Sequence, residues 1–271
     1  MSDDAGPGAS DRLGAEGTHS ADRVALIVGG SSGVGLATAH RLASQGVTKI
    51  AIAARSVDRG VAAAASVSSA TVEARFFPCD ANDAAAAADL VAAVEAAFGS
   101  VDLLVVSTAA AVLPRLLGDI SPEEIASILV EQAAPPMVMS RAVLPGMRAR
   151  GSGAIVVVAS DAAKSATPGE TVIGAAMAAI TMFAKAMAME VKRDGIRVNI
   201  VTPSLISGTP IYDRLMEDPF SARLFGKAAK LAALGVANAD DVAATIAFLC
   251  SPDAARITGQ AISVNGGISA A

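Results

Sequence analysis

The chain has 271 residues, 53% of them hydrophobic, which is enough to bury one large core or two small ones. With one Tyr, seven Phe and no Trp, that core must be aliphatic. A net charge of −5, without a basic stripe interleaved with aromatics, argues against nucleic acid as a partner. Cys79 and Cys250 are too few for a disulfide framework, and no metal-ligand spacing surrounds them or the isolated His19 and His40.

Residues 1–22 are rich in Asp, Gly, Ser and Ala and hold no apolar run. They read as a disordered, solvated tail and not as a signal peptide, so the expected location is the cytoplasm. Residues 23–271 read as one domain without a linker or internal repeat. Its strand-length apolar runs are 24–28, 49–53, 74–77, 103–106, 154–159, 197–201 and 261–264. Helical segments separate them: 36–44, closed by Gly46; an Ala-rich helix capped by Asn82 and ending near Phe98-Gly99; a helix opened by Ser121-Pro122-Glu123-Glu124; and a long one over about 170–193. The Ala-rich stretches 61–65 and 84–88 favour helix. The most apolar stretch, 174–188, carries Thr181 and Lys185 and ends in charge, which suits a buried interface helix. No uninterrupted apolar run of about 18 residues appears, so no membrane span is expected. Uniformly apolar strands are buried on both faces. Alternation of such strands with helices predicts an α/β fold, a doubly wound parallel sheet of about seven strands with right-handed crossovers.

Between the first strand and first helix stands Gly29-Gly30-Ser31-Ser32-Gly33-Val34-Gly35. Small residues let the backbone approach a pyrophosphate, and a helix N-terminus offers free N–H groups and positive potential. The context, first strand to turn to helix, is the one such a loop requires.

These residues carry a resemblance. Gly29, Gly33 and Gly35 match the Gly-x-x-x-Gly-x-Gly turn of the short-chain dehydrogenase/reductase family, with Val28 where a Thr is usual. Cys79-Asp80 resembles the family position that contacts adenine. Gly195-Ile-Arg-Val-Asn199 with Pro203 resembles its sixth-strand segment. Ile257-Thr-Gly-Gln260 and Val264-Asn-Gly-Gly267 resemble its C-terminal signature. The resemblance covers about 23–267 and implies a Rossmann-type fold that binds a nicotinamide cofactor through Gly29, Ser31, Ser32, Gly33, Val34, Gly35, Asp80, Ser107 and Thr209. The second strand ends Ala54-Arg55-Ser56, without the acid that would hold a ribose 2′-hydroxyl. Arg55 and Ser56 suit a 2′-phosphate, which implies NADP(H) over NAD(H).

The catalytic half departs from the family's pattern. Ser160 matches the family Ser after the fifth strand, but the Tyr and Lys positions of Tyr-x-x-x-Lys hold Ile173 and Met177. The alternative Tyr-x6-Lys spacing puts Glu170 at the Tyr position, and the single Tyr is Tyr212. The helix Asn corresponds to Gln132, Asn-Asn-Ala-Gly to Val106-Ser107-Thr108-Ala109, and the Gly after Pro203 to Ser204. Three readings stay open. One is an NADPH-dependent reductase with a non-standard proton source: Asp161, Glu170, Tyr212, water or the substrate. The second is a non-redox isomerase, cyclase or lyase with Ser160, Asp161 and Gln132 as polar contacts. The third is a silent subunit that pairs with an active homologue. Homo-oligomers (dimer or tetramer) and heteromers both fit. The segment 205–227, with Ile206, Ile211, Leu215, Met216, Phe220, Leu224 and Phe225, reads as an apolar lid over a hydrophobic small-molecule substrate. Bland readings accompany these: Asp161 and Lys164 as a surface ion pair, Glu170 as a first-turn acid favoured by the helix dipole, and Ser160 as a strand-end cap.

Overall fold

The computed structural model describes residues 23–271; the expected tail at 1–22, with His19, lies outside the described residues. Seven parallel strands form one sheet in the order β3-β2-β1-β4-β5-β6-β7. They are β1 (Val24–Val28), β2 (Lys49–Ala54), β3 (Glu73–Pro78), β4 (Leu103–Val106), β5 (Gly153–Val158), β6 (Ile196–Pro203) and β7 (Ala261–Val264). The helices are α1 (Gly33–Ser44), α2 (Val57–Val67), α3 (Ala84–Phe98), α4 (Pro122–Arg150), α5 (Thr171–Val191), α6 (Pro210–Glu217), α7 (Pro219–Leu231) and α8 (Ala239–Cys250).

Side-chain alternation along β1 shows why both faces need cover. Val24, Leu26 and Val28 join the core beneath α3, α4 and α5, while Ala25 and Ile27 join the core beneath α1, α2 and α8. This is the expected doubly wound sheet, and its largest fully buried side chains are Leu, Ile and Met. β1 pairs with β2 on one side and β4 on the other. Chain progression reverses there, so a crevice opens beyond the carboxyl ends of β1 and β4.

Several boundaries differ from the sequence reading. The first helix starts at Gly33, three residues early, so the last three residues of the glycine-rich turn already belong to it. Asp83, not Asn82, caps α3: its carboxylate accepts from the Ala85 and Ala86 N–H groups, while Asn82 turns back to Asp80. Ser121 opens α4 as expected, in a reciprocal pair with Glu124. The sequence reading left α6, α7 and α8 unassigned, although Asn238 caps α8 with Asp241 in the same reciprocal arrangement. α5 is long and apolar enough to cross a membrane by composition. Here it packs on α4 and β6 through Ala176, Ile180, Ala184, Ala188 and Val191. Met182 and Met189 on its outer face are 66% and 62% exposed.

Leu104 is fully buried in the central strand. Leu104→Ala is expected to destabilise the fold by about 2–5 kcal/mol, seen as a lower urea midpoint with an unchanged slope.

Candidate active site

A cavity of about 1090 Å³ opens at the carboxyl ends of the strands. That is slightly above the usual size of ligand pockets, about 300–1,000 Å³. One end is bordered by the β1–α1 turn, where the backbone is held in a tight curve. A Cβ at Gly35 would lie 2.3 Å from the Gly29 carbonyl oxygen, and one at Gly29, whose φ is +83°, would lie 2.5 Å from that of Ser107. Only glycine fits either place, and the first turn of α1 comes right up to the loop. Ser32 holds the N-cap position of α1, but its hydroxyl makes no capping bond. The hydroxyl and the free N–H groups of the first turn are left for an anion.

Arg55, Ser56 and Arg59 line the same cavity beside the end of β2. Ser56 is the N-cap residue of α2, again without a side-chain cap bond. Sequence reasoning missed Arg59. The signal was present: it lies four residues after Arg55, in the first turn of the next helix. Asp80 and Ser107 line the cavity between these groups, as does Thr209. The Asp80 carboxylate accepts from the Asn82 backbone and side chain, and the buried Thr209 hydroxyl donates to the Ile206 carbonyl. The cofactor-side candidates, Gly29, Ser31, Ser32, Gly33, Val34, Arg55, Ser56, Asp80, Ser107 and Thr209, thus border one space, with Gly35 directly behind the loop.

The other end of the cavity holds Ser160, Gln132, Ile173, Met177 and Glu170. Ser160 follows β5, and its hydroxyl accepts from the Ala162 N–H at 3.2 Å, so it caps the turn and can still donate its proton. Gln132 is buried on α4, and its amide finds no partner among the described residues. Pro135 and Pro136 follow it within the helix and lack the N–H groups that would bind the carbonyls of Glu131 and Gln132. Ile173 and Met177 lie one turn apart on α5 and present only hydrocarbon and thioether. Tyr212 is the only Tyr in the chain, and among the described residues no Lys lines the cavity.

Two acids behave differently from their sequence readings. Asp161 and Lys164 do not form a surface pair: their side chains are 6% and 15% exposed, with Nζ 3.8 Å from Oδ1. The Asp161 carboxylate also accepts from Ser269 Oγ at 2.5 Å, Asn265 Nδ2 at 3.2 Å and Ser263 Oγ at 3.4 Å. Lys164 donates to Ser263 as well. Of the catalytic candidates, Asp161 is therefore the one whose oxygens are already occupied, by side chains that tie the C-terminal segment to the β5–α5 loop. Nothing in the spacing of Ser269 foretold this, because the two residues are 108 apart.

Glu170 holds the N-cap position of α5, and its carboxyl makes no side-chain capping bond. Burial in the cavity wall pushes its carboxyl up to about 7, the nearby Asp161 charge pushes in the same direction, and a hydrogen bond with Thr167 opposes both.

The lid has formed two helices. Leu205, Leu215 and Phe225 are buried together, with Leu113, Ile211, Tyr212, Met216 and Leu224 packed on them. Ile206, Ile211, Leu215, Leu224 and Phe225 face the cavity, whereas Phe220 packs over Gly169 at its edge.

A family model described as Enoyl-(Acyl carrier protein) reductase matches residues 28–269. The chain is 33% identical over 251 residues to the Short-chain reductase protein NovJ of Streptomyces niveus, covering 92% of this chain and 94% of that protein. The chain belongs to the short-chain dehydrogenase/reductase family. It is also 30% identical to the 3-oxoacyl-[acyl-carrier-protein] reductase FabG of Escherichia coli (strain K12), over 91% of this chain and 97% of that one. The crystal structure of levodione reductase superposes with a TM-score of 0.85 at 26% identity, covering 91% of this chain and 97% of that one. Reductases of the family use nicotinamide cofactors, and its members are generally oligomers that bind small molecules.

Asp161→Ala would leave the Lys164 ammonium buried without its counter-charge. A loss of about 3–5 kcal/mol is expected, measured by urea unfolding. Glu170 carries a second stability signature. Its folded-state carboxyl holds a proton at pH values where the unfolded chain has lost it, so stability falls as pH rises from the ordinary carboxylate range to about 7. Unfolding midpoints of Glu170→Gln should decline less steeply across that window than those of the native chain.

Proposed function

We propose that the protein is an atypical, NADPH-dependent oxidoreductase of this family, acting in the cytoplasm on a hydrophobic carbonyl or conjugated substrate. The observation that carries this reading is the single cavity that runs from Arg55 and Arg59, past the β1–α1 turn, to Ser160 and the apolar lid. The fit to the cofactor rests on the cradle itself: two positions where a Cβ would strike backbone, and beside them N–H groups and a hydroxyl without partners. Arg55 and Arg59 would hold a 2′-phosphate, with Ser56 as a third donor. They have no ion-pair partner among the described residues. When bound, the cofactor supplies the hydride. The chain's own residues then orient and polarise: Ser160 and Gln132 donate to the substrate oxygen, and the lid excludes water.

The atypical feature is the pair Ile173 and Met177 where the family pattern has Tyr and Lys. The same pair favours a second reading, in which this chain is a silent subunit beside an active homologue, or a non-redox isomerase or cyclase. Met182 and Met189, exposed on α5, support assembly as a homo-oligomer or such a heteromer.

Calorimetric titration of the purified chain separates these readings. NADPH is expected to bind at least about tenfold more tightly than NADH, a difference of about 1.4 kcal/mol or more. The double variant Arg55→Ala/Arg59→Ala should erase that preference by weakening NADPH alone. Ser32→Asp should weaken both cofactors, because it places negative charge where the pyrophosphate belongs without touching the buried glycines. Absence of binding by either cofactor overturns the reductase reading and leaves the silent subunit or non-redox enzyme.

A further inference from the structure

Ile173 and Met177 face the cavity from α5, four residues apart, and Glu170, the N-cap residue just before that helix, lines the same cavity. Residues at such spacings lie on one face, one above the other. The two positions that hold Tyr and Lys elsewhere in the family are hydrocarbon and thioether here, and the next group along that face is a carboxyl. Its position is well supported. The Glu170 carbonyl accepts from the Gly174 N–H at 2.5 Å, and a Cβ at Gly174 would lie 3.0 Å from the Ala162 carbonyl oxygen. The start of α5 is therefore seated against the turn that carries Ser160. On the opposite side the Gly169 carbonyl accepts from the Arg115 N–H at 2.8 Å, and Phe220 of the lid lies over Gly169.

We propose that Glu170 is the catalytic acid, which gives its proton to the substrate oxygen from one helical turn before the family's Tyr position. The assignment rests on the reductase reading above. In the step, a hydride from the reduced nicotinamide bonds to the carbonyl carbon and the C=O π pair moves to oxygen. The Glu170 O–H bond breaks and its proton completes the alcohol. The nicotinamide is oxidised, the carbonyl is reduced, and the carboxylate regains a proton from solvent.

The neighbouring groups favour this choice. Asp161 is consumed by Ser263, Asn265, Ser269 and Lys164. Its negative charge discourages ionisation of Glu170. Glu131 on α4, and Tyr212, Asp213 and Arg214 on α6, also line the cavity. Arg115 is paired with Glu124 and unavailable to neutralise Glu170. A carboxyl that holds its proton up to about 7 is matched to general-acid work near neutral pH.

The test uses the full chain with its glutamates labelled with carbon-13 at the side-chain carboxyl. One resonance should titrate near pH 7 and be missing from Glu170→Gln. With NADPH and 1-phenyl-1,2-propanedione as probe, the reduction rate should fall as pH rises through about 7, where the acid ionises. Glu170→Gln should lose about 10²–10⁴-fold and flatten that profile, with NADPH affinity unchanged, and Glu170→Asp should recover part of the rate. NADPH binding together with a Glu170 resonance that titrates in the ordinary carboxylate range overturns the Glu170 assignment alone. So does an unaltered rate and profile in Glu170→Gln, or loss of the profile in Tyr212→Phe instead. Failure to bind NADPH, or to turn over the diketone when NADPH is bound, overturns the reductase reading and with it the assignment.

Discussion

At Gly35 the first helix comes so near the first strand's turn that a single methyl would lie 2.3 Å from the Gly29 carbonyl oxygen. Much of the site depends on that approach. It brings the N–H groups of α1 to the end of β1, beside β4, where the sheet reverses direction and a crevice must open. It also sets Gly29 against the carbonyl of Ser107, so the turn and the end of β4 form one wall. A side chain at either glycine would strike backbone and push the helix from the sheet, even with every other residue in place.

The opposite wall is organised by a different force. Asp161 and Lys164 are taken out of water together, and the cost of burying two charges is offset because three side chains from the C-terminal segment complete the carboxylate's shell. The last residues of the chain are thereby held against the β5–α5 loop, and Ser269 and Ile268 become part of the cavity rim. Glu170 sits a short way along the same loop with the opposite outcome. It has no cation and only Thr167 to bond, so desolvation favours its neutral form. The two acids, nine positions apart, thus differ in their partners: Asp161 is held by a cation and three side chains, while Glu170 is left to desolvation.

The apolar end of the cavity follows from composition. With few aromatics, the lid over Ser160 is built from Leu, Ile, Met and Phe on two short helices, each started by Pro after a capping Thr209 or Asp218. Ile173 and Met177 extend that surface onto α5.

By itself the sequence determined the parallel sheet, the turn at Gly29–Gly35, the arginine at the end of β2 and the apolar side chains of Ile173 and Met177 one turn apart. These are local: a strand's apolar run, a glycine spacing and a helical offset of four can each be read within a few residues. Capping was less legible where candidates adjoin, as at Asn82 and Asp83, because only backbone direction decides which carboxylate or amide reaches the free N–H groups. Only the tertiary structure decided that Arg59 joins Arg55, that Asp161 is spent on Ser269, and that Glu170 lines the cavity without a side-chain capping bond. The physical reason is that a carboxyl's chemistry depends on its distance from charges and water, and those distances are set by chain segments as much as 108 residues apart.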